Sequence, residues 1–138
     1  MNERYYLDTA LWVDICEDRK GYCCEDLGES PLKLLILLKT KRHRLVITDV
    51  LVRELESIYS TEELNGIFAP FGDILDRIRV TKEQMEEAKK LAKDLDVPPG
   101  DALHAIIARD SKLVLVARDN HFRKLRNVSE YYKPEELI

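Results

Sequence analysis

The sequence predicts an α/β fold in which a parallel sheet is covered by helices on both faces. Strand-like and helix-like segments alternate along the chain, the pattern of strands joined by helical crossovers. The helix expected at 101–110 is apolar nearly all round, as a buried helix is. With 138 residues, 45% of them hydrophobic, the chain has the size of one domain spanning 1–138 and the material for one core.

The elements follow in order. Residues 4–7 read as the first strand, and Asp8-Thr9 turns into a helix at 10–15. Residues 16–30 are polar, contain Gly21 and Gly28, and read as a loop. Pro31 suits a helix N-terminus, and a mostly apolar helix at 32–40 follows. Residues 44–48 form the second strand, with helices at 50–60 and 62–67 before Pro70 breaks the pattern. A short strand is expected at 78–80. The helix at 82–95 is amphipathic, with Met85, Ala88, Leu91, Ala92 and Leu95 as its buried stripe. Pro98-Pro99-Gly100 makes a sharp break before the helix at 101–110. An apolar strand at 113–117, a helical turn at 120–125 and a last strand at 128–132 complete the chain.

The formal charge is −4, from 22 basic and 26 acidic residues, which is not the profile of a protein that coats DNA. If four acids surround metal ions, the remainder is 22 basic against 22 acidic residues, so RNA binding becomes a question of distribution. The longest apolar run, 34–38, is far short of the roughly 20 residues that span a bilayer. No signal-peptide core follows the first residues. A cytoplasmic protein without membrane contact is expected. Cys16, Cys23 and Cys24 are odd in number, lack a Cys-x-x-Cys pair and read as free thiols.

Ligands of open α/β sheets bind beyond the carboxyl ends of the strands. Asp8 follows the first strand, Thr48 and Asp49 end the second, and Asp119 lies two residues beyond the strand at 113–117. Acidic strand ends suit a hard divalent cation. Glu54 adds to this. On a helical wheel with Val50 at zero, it falls at about 40°, inside the sector of Leu51, Leu55 and Ile58. A carboxylate in an apolar stripe is costly unless paired or bound to metal. Asp101 opens the buried helix after Gly100. Taken singly, Asp8, Asp101 and Asp119 also read as helix caps. Together the four could hold one or two Mg²⁺ or Mn²⁺ ions and leave positions open for water and phosphate.

Tyr6-Leu7-Asp8-Thr9, the run from Ile47-Thr48-Asp49 through Arg53-Glu54-Leu55, Asp101-Ala102-Leu103-His104-Ala105, and Leu115 through Phe122 follow one another in an order and spacing that carry a resemblance. With them the chain resembles the PIN-domain family, in particular small prokaryotic proteins similar to VapC toxins. The resemblance covers essentially the whole chain. It implies a three-layer α/β/α sandwich and a metal-dependent endoribonuclease, with Asp8, Glu54, Asp101 and Asp119 as catalytic and metal-site acids. Thr48 matches a supporting hydroxyl position at a strand end. Ala117 departs from a position where the family often has Thr or Ser. As a toxin-like protein, the chain would have an antitoxin partner that occludes the acidic cleft, and a homodimer is expected, with the apolar surface of the helix at 32–38 as its source.

Beside Asp119, residues Arg118, His121, Arg123, Lys124 and Arg126 form a basic stretch that either binds RNA phosphates or is simply solvated. His104, in an apolar helix, reads as a hydrogen-bonded core residue. Asp14 reads as part of a solvated helix face or as an outer group of the acidic site. Tyr5 and Tyr6 read as core packing before base stacking, and Phe122 as the anchor of the turn after Asp119. The alternative function is a catalytically silent PIN-like module that binds RNA or protein. A haloacid-dehalogenase-like phosphatase would want a second acid two residues after Asp8, where Ala10 stands.

Overall fold

The structure, a computed structural model, describes residues 3–17 and 26–138. Gly21, Cys23 and Cys24 lie outside the described residues. Five strands, β1 (Arg4–Leu7), β2 (Arg44–Thr48), β3 (Leu75–Ile78), β4 (Val114–Val116) and β5 (Tyr131–Tyr132), form one parallel sheet in the order β3-β2-β1-β4-β5. The helices are α1 (Thr9–Glu17), α2 (Glu29–Lys41), α3 (Asp49–Glu56), α4 (Thr61–Phe68), α5 (Lys82–Leu95) and α6 (Pro99–Ser111). A 3₁₀ turn at Asn120–Leu125 follows β4.

The strand order explains the layers. The chain steps outward from β1 to β2 to β3, then returns past β1 to β4. Right-handed crossovers therefore put α1 to α4 on one face and α5 with α6 on the other. The packing agrees, since α1 meets α2 and α3 while α5 runs along α6. Covered on both faces, the central strands are apolar without alternation: Tyr6, Leu7, Leu45, Val46, Ile47, Leu115 and Val116 are all fully buried. The α/β/α sandwich expected from the sequence is the fold observed.

Several elements differ from the expectation, each for a local reason. β3 lies at 75–78 rather than 78–80, because Leu75 and Asp76 pair with Leu45 and Val46. Arg44 fixes that register with a 2.7 Å contact to Asp76 and a hydrogen bond to the Asp73 carbonyl. The last strand is only Tyr131–Tyr132. The end of the segment read as a loop is not loop, since α1 continues to Glu17 and α2 begins at Glu29. Gly28 allows this start: a Cβ there would sit 2.5 Å from the Asp14 carbonyl oxygen, so only glycine lets the chain pass α1 this closely. Met85 is exposed rather than buried; α5 faces α6 with Ala88 and Ala92, whose small side chains permit close approach.

Three helices end in the left-handed region without a glycine: Arg42 (φ 58°), Asp96 (φ 54°) and Lys112 (φ 55°). Each cap N–H still returns to carbonyls of the last turn. The Cβ makes this conformation costly by about 1 kcal/mol per residue. Replacing exposed Arg42 or Lys112 with glycine is therefore expected to raise the unfolding free energy by about 0.5–1 kcal/mol each, read by urea denaturation. A loss of stability in both variants would contradict this reading of the caps.

Candidate active site

The sheet order reverses at β1, and the crevice of such a switch point lies at the carboxyl ends of β1 and β4. Asp8 leaves β1 there, and its carboxylate accepts the Leu11 N–H at 3.4 Å as the cap of α1. Asp119 follows β4, caps the Asn120–Leu125 turn and accepts the His121 N–H at 2.9 Å. Asp101 stands in the first turn of α6, where Pro98 and Pro99 set the helix start and a carboxylate complements the helix dipole. Glu54 comes from the end of α3. All four line one cleft of about 300 Å³, together with Thr9, Val13, Ile58, Gly100 and His104.

The four differ in environment. Asp8 is only 3% exposed. Burial lifts its carboxyl to about 8. The Leu11 N–H pulls the other way, and the charges of Asp101, Asp119 and Asp14 add to the rise. Asp101 is also raised, first by partial burial and then by Asp119. No lysine or arginine pairs with any of the four acids among the described residues. Glu54 was expected inside a buried stripe, but α3 stops at Glu56 and Ile58 lies beyond it, 55% exposed. Glu54 therefore sits half-buried on the rim of the cleft.

Beneath the acids runs a buried polar chain. The Thr48 hydroxyl accepts the Leu51 N–H at 3.1 Å as the cap of α3 and meets the Tyr6 hydroxyl at 3.1 Å. Tyr6 Oη lies 2.7 Å from His104 Nδ1, and Thr9 Oγ1 lies 3.2 Å from Nε2. With its proton on Nε2, a neutral His104 accepts from Tyr6 and donates to Thr9, so every member is satisfied. Burial lowers the His104 pKa to about 4, so its 4.0 Å approach to Glu54 is not an ion pair at neutral pH. The reading of His104 as a hydrogen-bonded core residue holds, and Thr48 is buried in the same chain through Tyr6. Tyr6 and Trp12 are fully buried and so are not free to stack on bases.

The basic stretch divides. Arg118 donates to the Leu27 carbonyl at 2.7 Å and pairs with Asp14 at 3.3 Å and with Glu135. Asp14 is accordingly a buried ion-pair partner, not a solvated residue. Arg123 and Lys124 are exposed, with the Lys124 ammonium 3.5 Å from the Asp96 carbonyl, and Arg126 lies over the Tyr131 ring. Phe122 is fully buried and anchors the turn, as expected. His121, read in the sequence as one of this basic stretch, lies against two of the acids. Its Nδ1 lies 2.8 Å from Asp119 Oδ1 and 3.3 Å from Asp101 Oδ2. The signal was the capping turn at Asp119, which folds residue 121 back onto the acids. Asp49 was counted among the acidic strand ends, but it accepts the Val80 N–H at 2.9 Å and does not line the cleft.

The family model described as the PIN domain matches residues 5–128. The chain belongs to the PIN-domain family. No curated protein matches it. Two solved structures share the fold. A chain of VapBC2 from Rickettsia felis, crystallised bound to a DNA fragment from their promoter, is 20% identical with a TM-score of 0.65. That match covers 94% of this chain and 98% of the other. PAE2754 from Pyrobaculum aerophilum is 17% identical with a TM-score of 0.56, covering 99% and 95%. No helix among the described residues of this PIN domain is long and apolar enough to cross a membrane.

The buried imidazole carries a pH signature. An unfolded histidine titrates near 6.5, while His104 in the fold is held neutral down to about 4. Its contribution to stability is complete above 6.5 and is lost as pH falls towards 4. Asp8 acts in the opposite sense, since its raised pKa favours folding as pH falls. The comparison is therefore between proteins. His104→Gln is expected to lose less stability than wild type between pH 7 and pH 4.5, measured by urea denaturation. Parallel pH profiles would show that His104 is not held neutral.

Proposed function

We propose that this PIN domain is a divalent-metal-dependent endoribonuclease, with Asp8, Glu54, Asp101 and Asp119 holding Mg²⁺ or Mn²⁺. The observation that carries this is the gathering of four carboxylates in one cleft without a lysine or arginine among the described residues. PIN domains are generally nucleases. An oxygen-rich donor set with a buried acid matches the chemistry of a hard divalent ion.

When bound, the ion supplies Lewis acidity and lowers the pKa of an attacking water. The protein provides the rest. The caps at Asp8 and Asp119 fix two carboxylates before substrate arrives, and the chain Thr48-Tyr6-His104-Thr9 stiffens the floor. To hold a cation, the Asp8 carboxyl would release its proton to solvent, which would couple binding to pH. Arg123 and Lys124 are exposed and follow Asp119 closely in the chain, which supports reading them as contacts for RNA phosphates. They form the proposed RNA contact together with His121, whereas Arg118 is held by Asp14 and Glu135.

The fold shared with VapBC2 supports a toxin role with an antitoxin partner, which would cover the cleft by setting an arginine among the acids. Exposed Leu32 and Ile36 on α2 support a homodimer through that helix.

A panel of labelled RNAs incubated with Mg²⁺, Mn²⁺ or EDTA tests the proposal. Wild type is expected to cleave only with metal, and Asp8→Asn Asp101→Asn to lose activity by about 100-fold or more. Cleavage that survives EDTA or the double substitution would contradict the metal site. Absence of cleavage together with absence of Mn²⁺ binding would favour a silent binding module.

A further inference from the structure

We propose that His121 is a nitrogen ligand of the ion in this cleft, biasing it towards later first-row divalent ions such as Co²⁺ and away from Mg²⁺. This rests on the metal reading above and extends it to the choice of metal. Its Nδ1 lies 2.8 Å from Asp119 Oδ1 and 3.3 Å from Asp101 Oδ2. One ligand atom from each of Asp101, Asp119 and His121 falls within 4.8 Å of the others. Two donors bound at right angles, each about 2.1 Å from one ion, stand about 3 Å apart, so these separations need little adjustment.

The backbone that carries the ring is held by the fold. His121 belongs to the Asn120–Leu125 turn, whose Phe122 and Leu125 are buried. Its own N–H is bound by Asp119 Oδ1. A further buried carboxylate lines the same cleft, although it lies outside the group formed by Asp101, Asp119 and His121. Asp8 is 3% exposed and, among the described residues, has the Leu11 N–H at 3.4 Å as its one hydrogen-bond partner. His121 is 46% exposed at its side chain and supplies no compensation to Asp8 itself.

The consequence follows from donor chemistry. Mg²⁺ prefers oxygen ligands and gains little from imidazole. Along the first transition row, affinity for sites containing nitrogen rises from Mn²⁺ through Co²⁺ to Ni²⁺. The competing role for His121 is that of an internal cation, hydrogen-bonded to the two carboxylates and displaced when the ion enters. The two roles predict opposite effects of removing the ring.

Metal-free wild type, His121→Ala and His121→Asn are titrated calorimetrically with Mg²⁺ and with Co²⁺ at one pH, with melting curves to establish that each is folded. Both variants are expected to lose about tenfold or more in Co²⁺ affinity while Mg²⁺ affinity changes by less than about threefold. Electron spin echo of the Mn²⁺-loaded proteins gives a second readout. Coupling to ¹⁴N is expected in wild type and not in the variants, which retain His43 and His104. Equal losses for both metals, tighter Mg²⁺ binding in the variants, or ¹⁴N coupling that survives would each overturn the assignment while leaving the carboxylate site standing. Failure of wild type to bind either ion would overturn both.

Discussion

A carboxylate with almost no access to water sits at the head of the central strand, and the arrangement of the cleft turns on it. Asp8 cannot move out, because β1 is paired on both sides and the acid itself caps α1. Its burial favours a proton, whereas its neighbours Asp101 and Asp119 make any added negative charge harder to bear. Beyond its cap on α1, a buried carboxylate among other acids costs stability when it is charged. A divalent cation held as proposed would reverse the sign, because each unfavourable carboxylate would then become a ligand.

The sheet topology explains why the acids meet. Asp8 and Asp119 leave adjacent parallel strands at the reversal of strand order, so their side chains start from the same rim. Glu54 and Asp101 reach that rim from helices on opposite faces, α3 and α6. Residues distant in sequence thereby converge without any one loop having to carry the site. The rim is supported from below by Tyr6, which links Thr48 at the end of β2 to His104 in α6. That link spans both helix layers through the sheet, and burial of its histidine keeps the network neutral.

Much of this was legible in the sequence because it depends on local signals. The alternation of elements predicted the sandwich, and carboxylates at strand ends marked Asp8 and Asp119. Pro98-Pro99-Gly100 marked the start of α6 and so the place of Asp101. What escaped depended on contacts made at a distance. The place of β3 is set by pairing with β2 and by Arg44 gripping Asp76, and neither is visible in a window around residue 76. Glu54 was found by a helical wheel extended to Ile58, yet α3 ends before that residue. Arg118 reads as a free cation in sequence, because Asp14 and Glu135, which bind it, are far away along the chain. His121 looked like one more basic residue until the turn at Asp119 placed it on the acids.

The central claim is that the crowded carboxylates form one cation site. Anomalous diffraction from crystals soaked in Mn²⁺ tests it most directly. The account predicts a peak inside the cleft, within bonding distance of Asp8, Asp101 and Asp119, with Glu54 turned towards it. Ordered density for the four acids with no manganese among them, at concentrations that saturate the protein in solution, would contradict it.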